Sequence, residues 1–416
     1  MTFADVIALP CGEQEQIHGT SAEKLMKTFL TPFTIFGFLG ISRPFSLLLA
    51  VLSTALAGQP DPAKAILSEE ASFRVETVVE GLNSPWGMVK LPDGRFLITE
   101  KAGRVRVLQD GKLLDAPVEG TPEVREGGQG GLLDIRLHPD YAKNGWIYLS
   151  FSKPLPKGAL TSIVRGRLKG NRFEDVETIF EPSPDEASSG GIHFGCRIVF
   201  DGKGHVFFSI GDRGDVTTPE NQAQRLDNVK GKVHRLNDDG SVPADNPFVN
   251  QAGTSPSIWS YGNRNPQGLS IQPGTGLLWE TEHGPRGGDE LNIIRKGENY
   301  GWPVVTFGIN YSGKPISDKS SAPGMRDPVL QWTPSPAVCG MAFYTGKGFP
   351  KWEGNLFVGA LAHTKLFRLR LDGEKVAHQE ELLVGSGRVR DVRCFDDGSL
   401  YVIYDQGKIV RIVPAE

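Results

Sequence analysis

From Phe73 onward, apolar and polar residues alternate in short runs, each bounded by turns rich in Gly, Asp and Pro. The phrase is plain in Leu91-Pro-Asp-Gly-Arg-Phe-Leu-Ile-Thr-Glu100, followed by Gly103-Arg-Val-Arg-Val-Leu108. It returns at Phe200–Ile210, Pro273–Glu280, Trp352–Val358 with Lys365–Leu371, and Asp396–Ile403 with Lys408–Ile412. A period of two puts alternate side chains on one face, so each copy predicts a β-hairpin with one apolar side. Such a hairpin cannot bury that side alone; copies stacked around an axis can. At roughly 50 residues per four-stranded blade, residues 73–416 predict an all-β, six-bladed propeller with antiparallel blades. The strand-like ends, Phe73–Val79 and Lys408–Val413, are expected to complete one blade together and close the ring.

Composition supports this reading. The 51 Gly and 29 Pro among 416 residues lie between the apolar runs, as tight turns require. A net charge of −4 with no basic block gives no support to a nucleic-acid partner, and none is expected. The N-terminus follows a different pattern. Basic Lys27 and Arg43 precede an apolar stretch, Phe45–Leu56, that ends in Ala55-Leu56-Ala57, a small-x-small cleavage pattern. Residues 1–57 are read as an extension and export signal, 58–72 as a linker, and the mature chain as periplasmic or secreted without stable membrane insertion. Met26 competes with Met1 as the start. Cys11, Cys196, Cys339 and Cys394 show no metal or redox spacing and are expected to be buried free thiols, with one bridge among the last three as the alternative.

Candidate chemistry concentrates in turn-rich segments. His193 precedes a strand and Asp212 follows it, so one hairpin brings both to one end. A carboxylate on one imidazole nitrogen makes the other a general base, although a structural pair has the same spacing. Tyr261-Gly-Asn-Arg-Asn-Pro-Gln-Gly-Leu269 presents Arg264 and Asn265 from a rigid turn. Glu282-His-Gly-Pro-Arg-Gly-Gly-Asp-Glu290 is an oxygen-rich loop whose carbonyls, Asp289 and Glu290 suit calcium, or solvent. Gly387-Arg-Val-Arg-Asp391 alternates two arginines toward one side, as a polycarboxylate site or a solvated strand face would. Gln129 sits in a glycine nest, Gly127–Gly131.

In order along the chain, Ser84-Pro-Trp-Gly-Met88, Gly128-Gln-Gly-Gly-Leu132, His193-Phe-Gly-Cys-Arg197, Gly211-Asp-Arg-Gly214, Gly262–Gly268, His283-Gly-Pro285, Asn299-Tyr-Gly-Trp-Pro303 and Arg388-Val-Arg-Asp391 resemble the soluble quinoprotein glucose and aldose sugar dehydrogenases. These form the glucose/sorbosone dehydrogenase family, and the resemblance runs from Phe73 to the C-terminus. It implies pyrroloquinoline quinone and Ca2+ at one end of the propeller, and oxidation of an aldose at its anomeric carbon to the lactone. His193 matches the base, Asp212 its orienting carboxylate, and Arg264 the arginine near the quinone oxygen. Gln129, Asn265, Arg388 and Arg390 match cofactor-binding positions. Gly284 and Pro285 match carbonyl ligands of calcium; Glu290 and Tyr300 match positions tied to further calcium.

Two departures stand out. Ala362 falls where glucose-type members carry a lysine, leaving His363 or Lys365 to substitute, and Ile192 precedes His193 where they carry an acid. Both favour a broad aldose range over glucose alone. The partners expected are an aldose and an electron acceptor the sequence does not name, in a monomer or homodimer. The competing readings are a calcium-dependent lactonase propeller, and a propeller that binds without catalysis.

Overall fold

A computed structural model describes residues 64–415. The expected leader and Cys11 lie outside the described residues. The described residues belong to one compact unit, with six sheets among them, each antiparallel. Blade 1 runs Pro85–Lys90, Phe96–Glu100, Arg104–Gln109 and Lys112–Leu113 from the axis outward. Blade 2 is Leu132–Leu137, Trp146–Leu155, Gly158–Lys169 and Arg172–Phe180. Blade 3 begins with Ile198–Phe200, blade 4 with Pro266–Ile271 and blade 5 with Val338–Phe343.

Blade 6 closes the ring as the terminal strands predict. Val389–Cys394, Leu400–Tyr404 and Lys408–Pro414 come from the C-terminus, and Ser72–Val79 pairs with the last of them, Phe73 opposite Pro414. Within the stretch expected as a linker, Ile66–Leu67 adds a fifth strand to this sheet. Phe73, Val79, Ile409, Val410 and Ile412 are all buried there. At roughly 1.5–3 kcal/mol per buried side chain, apolar burial holds the closure more firmly than the ladder alone. Cys196, Cys339 and Cys394 are free, as expected.

The axis is filled by charge. Arg197, on the last residue before blade 3's innermost strand, is fully buried and crosses the centre. Its Nε donates to the Gln267 carbonyl (2.9 Å, blade 4), Nη1 to the Trp86 carbonyl (3.3 Å, blade 1), and Nη2 to the Arg390 carbonyl (3.0 Å, blade 6). It pairs with Asp391 at 3.1 Å and Asp134 at 3.4 Å, while Arg393 bridges the same two acids. Blade 5 passes this cluster at Gly340, where a Cβ would overlap the Asp391 carboxylate and lie 2.7 Å from Arg197 Nη2. One guanidinium thus ties four blades, and a glycine at the closest approach lets the fifth pass.

Candidate functional site

Most of the predicted catalytic and cofactor residues cluster because they lie just before, or at the start of, an innermost strand. Gln129 precedes Leu132, His193 precedes Ile198, Arg264 and Asn265 precede Pro266, and Arg388 precedes Val389. Innermost strands run side by side around the axis, so their starts share one end. A hydrogen-bonded chain joins them. The His193 N–H donates to Gln129 Oε1 (2.8 Å), and Asn265 Nδ2 donates to the same oxygen (3.3 Å). Gln267 Nε2 donates to Asn265 Oδ1 (3.2 Å), and Arg390 Nη1 to Gln267 Oε1 (3.3 Å).

His193 adopts φ +54°, a left-handed conformation that costs a non-glycine residue about 1 kcal/mol or more. Gln129 holds its main chain, and Asp212 holds its ring: Nδ1 and Asp212 Oδ1 are 2.5 Å apart. Asp212 is fully buried and saturated. Oδ1 also accepts from the Gly214 N–H (2.9 Å), while Oδ2 accepts from Trp302 Nε1 (2.7 Å) and Asn221 Nδ2 (3.4 Å). Burial resists ionisation of Asp212, but His193, Arg264 and the Gly214 N–H outweigh it and the pKa falls below the usual value. The His193 pKa is also lowered, chiefly by burial and then by the Arg264 charge, against the pull of Asp212. With Nδ1 committed to Asp212, Nε2 is left as a neutral base.

Arg264 stands beside this dyad, and further cations lie along the rim. Arg264 Nη1 donates to the His283 (2.9 Å) and Gly284 (2.8 Å) carbonyls, and its guanidinium lies 5.3 Å from the Trp302 ring. Arg388 and Arg390 share Asp405 at 3.3 and 3.1 Å, so the sequence's arginine pair does project together. Burial opposes ionisation of Asp405, and the two arginines win. Lys101 Nζ donates to the Gly128 carbonyl (2.6 Å); burial and the Arg390 charge lower its pKa. The buried His283 Nε2 has no partner among the described residues, and burial pushes that pKa down to about 3.

Of the calcium candidates, Gly284, Glu290 and Tyr300 line one cavity of about 10 Å³ with Glu282, room for one water-sized occupant. The Gly284 carbonyl already accepts from Arg264 but keeps a second lone pair. Pro285 follows it in the same turn, between Leu278–Glu282 and Asp289–Ile294. The Tyr300 hydroxyl donates to the Ile293 carbonyl (2.6 Å) and accepts from the Arg295 N–H (2.8 Å), so its ring oxygen is engaged within its own blade. Asp289 is also committed: it accepts from the Gly284 N–H, Ser335 Oγ and the Val338 N–H. Among the described residues no group of three or more His, Cys, Asp or Glu side chains is placed to hold a metal. Lys365 pairs with Glu381 across its own blade at 2.7 Å.

Sequence reasoning passed over Lys101, Asp405, Gln267, Asn221 and Trp302. Gln267 and Trp302 stood inside quoted motifs, and a polar or indole residue beside a catalytic turn was the available signal. Lys101 and Asp405 had none, because only the ring brings them to the rim.

Residues 82–411 match the family described as Glucose / Sorbosone dehydrogenase. The chain is 44% identical over 361 residues to the aldose sugar dehydrogenase YliI of Escherichia coli K12, covering 85% of this chain and 96% of that one. The structure superposes on the soluble aldose sugar dehydrogenase of Escherichia coli in its apo form with a TM-score of 0.77 and 43% identity, over 82% of this chain and 100% of that one. Against the PQQ-bound form of an aldose sugar dehydrogenase from Streptomyces coelicolor the TM-score is 0.67 at 27% identity, over 85% and 99%. With the profile, the ordered motifs and the propeller in agreement, the chain belongs to the glucose/sorbosone dehydrogenase family.

Proposed function

We propose that this chain is an aldose sugar dehydrogenase that works with pyrroloquinoline quinone and Ca2+, with His193 as the general base. The observation that carries it is the continuous hydrogen-bonded rim joining the His193–Asp212 dyad to Gln129, Asn265 and Arg390, with Arg264 beside the dyad. The residues present fit a polycarboxylate. Arg264 and Lys101 rest on carbonyls instead of acids, and Arg388 with Arg390 share one carboxylate, which leaves net positive charge. The unpartnered His283 Nε2 lies in the same region.

The quinone, when bound, supplies the acceptor for two electrons from the sugar's anomeric C–H. His193 Nε2 takes the anomeric hydroxyl proton, which the neutral imidazole is prepared to do. Asp212, 2.5 Å from Nδ1, stabilises the imidazolium that results. Arg264 would supply positive charge to an oxygen of the group that gains negative charge. The Gly284 and Pro285 carbonyls would hold Ca2+, with Glu290 and Tyr300 at a further calcium position. The sugar leaves as its lactone. Ile192, 40% exposed beside the buried base, offers an apolar edge instead of an acid, which supports a broad aldose range. On the axis, where a lactonase-type metal would sit, Arg197 stands instead. The export signature supports a periplasmic or secreted enzyme.

The test is dye reduction by purified protein given Ca2+, pyrroloquinoline quinone and a panel of aldoses. Quinone-dependent turnover that falls about 10³-fold in His193→Ala, with quinone binding retained, is expected. No quinone-dependent turnover, or an unimpaired His193→Ala, overturns the reading.

A further inference from the structure

The geometry points to Trp302 as a positioning residue, which holds Asp212 so that one oxygen faces His193 and the imidazole stays neutral for proton removal. This rests on the dehydrogenase reading for its kinetics, though not for its structural readout. Trp302 lies in the loop between blade 4's Asp289–Ile294 and Leu330–Trp332, whereas Asp212 follows blade 3's His205–Ile210. The indole is 5% exposed, and Nε1 donates to Asp212 Oδ2 at 2.7 Å.

That oxygen lies on the side of the carboxylate away from the imidazole, and Asn221 Nδ2 approaches it at 3.4 Å. The two donors use up Oδ2, so Oδ1 is the oxygen left for Nδ1. A donor on Oδ2 also draws off carboxylate charge and weakens the stabilisation of an imidazolium at Oδ1. Trp302 thereby keeps the base both aligned and neutral. Its position is itself set: the Trp302 N–H donates to the Gly262 carbonyl (2.8 Å), and Gln224 Nε2 donates to the Trp302 carbonyl (2.7 Å). The Gln224 loop is clamped by the buried ammonium of Lys232, which donates to the Gln222, Ala223 and Lys230 carbonyls. The ring of Trp302 meets Arg264 separately, 5.3 Å from its guanidinium, so the N–H and the ring face can be tested apart.

Trp302→Phe keeps an aromatic ring and removes only the donor. In the apoprotein, NMR titration should show the His193 imidazole pKa raised by about half a unit. In the loaded enzyme, kcat should fall about tenfold with KM within about twofold, and the acid limb of the kcat profile should move up with the imidazole. A wild-type imidazole titration, or a loss confined to KM, overturns the proposal. The apoprotein titration uses neither quinone nor sugar, so it decides the matter even if the redox reading fails. If Trp302→Phe does not fold, the Trp302 indole proton resonance in the wild type is compared with that in Asp212→Asn: a displaced resonance supports the contact, an unmoved one overturns it.

Discussion

The two ends of the propeller axis are built from opposite ends of the same innermost strands, yet they differ in kind. At the strand ends, Arg136, Leu137, Phe200, Ile271, Met341, Phe343, Arg393 and Phe395 are among the residues around a cavity of about 370 Å³. At the strand starts, the space beside Arg264, Glu282 and His283 is about 10 Å³. Of these two cavities, size alone would favour the wide one. There, however, Arg136 and Arg393 are paired with Asp134 from the axial layer, and the rest of the wall is mostly apolar. At the narrow end, charges rest on carbonyls, an imidazole is buried neutral, and a carboxylate is saturated by donors from three loops. A functional end is marked by polar groups with capacity left over, not by empty volume.

The sharpest way to break that contrast is to damage each end in turn. Asp212→Ala should lower kcat/KM about 10³-fold, since the imidazole loses both its tautomer and its partner. Ser270→Leu at the wide end should leave kcat/KM within about twofold. Steady-state kinetics with one aldose checks both, and a comparable loss at the wide end would erase the distinction. Next in size is the layer between the ends. Gly340→Ala drives a methyl into Asp391 and Arg197, and should destabilise the fold by about 3 kcal/mol in a denaturant melt. Smaller again, Arg390→Ala should weaken quinone binding about 30-fold in a titration followed by absorbance, as loss of a charged contact does.

How much of this was legible beforehand follows the same division. The propeller could be read because each hairpin carries its own period of two and its own turn, down to the closure of Ser72–Val79 on Lys408–Pro414. His193, Arg264, Asn265 and Arg390 were legible because each stands in a short motif at a strand start, and Asp212 because it stands in one just past a strand end. The axial cluster was not: Asp134, Arg197 and the Asp391–Arg393 pair come from three different blades, and nothing local to Arg197 announces five partners. Lys101 and Asp405 were hidden for the same reason. Ile66–Leu67 was missed because two residues are too few to show a period.

The smallest effect tests the electrostatic half of the contrast, the claim that burial at the narrow end keeps its base neutral. His193 is held below the ordinary imidazole pKa of 6.5 by burial and by Arg264. The acid limb of kcat/KM should therefore lie below pH 6.5. Stability carries the same sign. Between the folded pKa and 6.5 the unfolded chain binds the proton and the folded one does not, so the His193 contribution is lost as pH falls through that window. His193→Gln removes the titration, and the difference in denaturant midpoint between the two proteins should be flat above pH 7 and shrink below 6.5. Arg264→Gln takes away one of the depressing influences and should move both the acid limb and that window upward together. An acid limb at or above 6.5 in the wild type would mean that Asp212 outweighs the burial, and that the base is prepared by its carboxylate instead of by the cations around it.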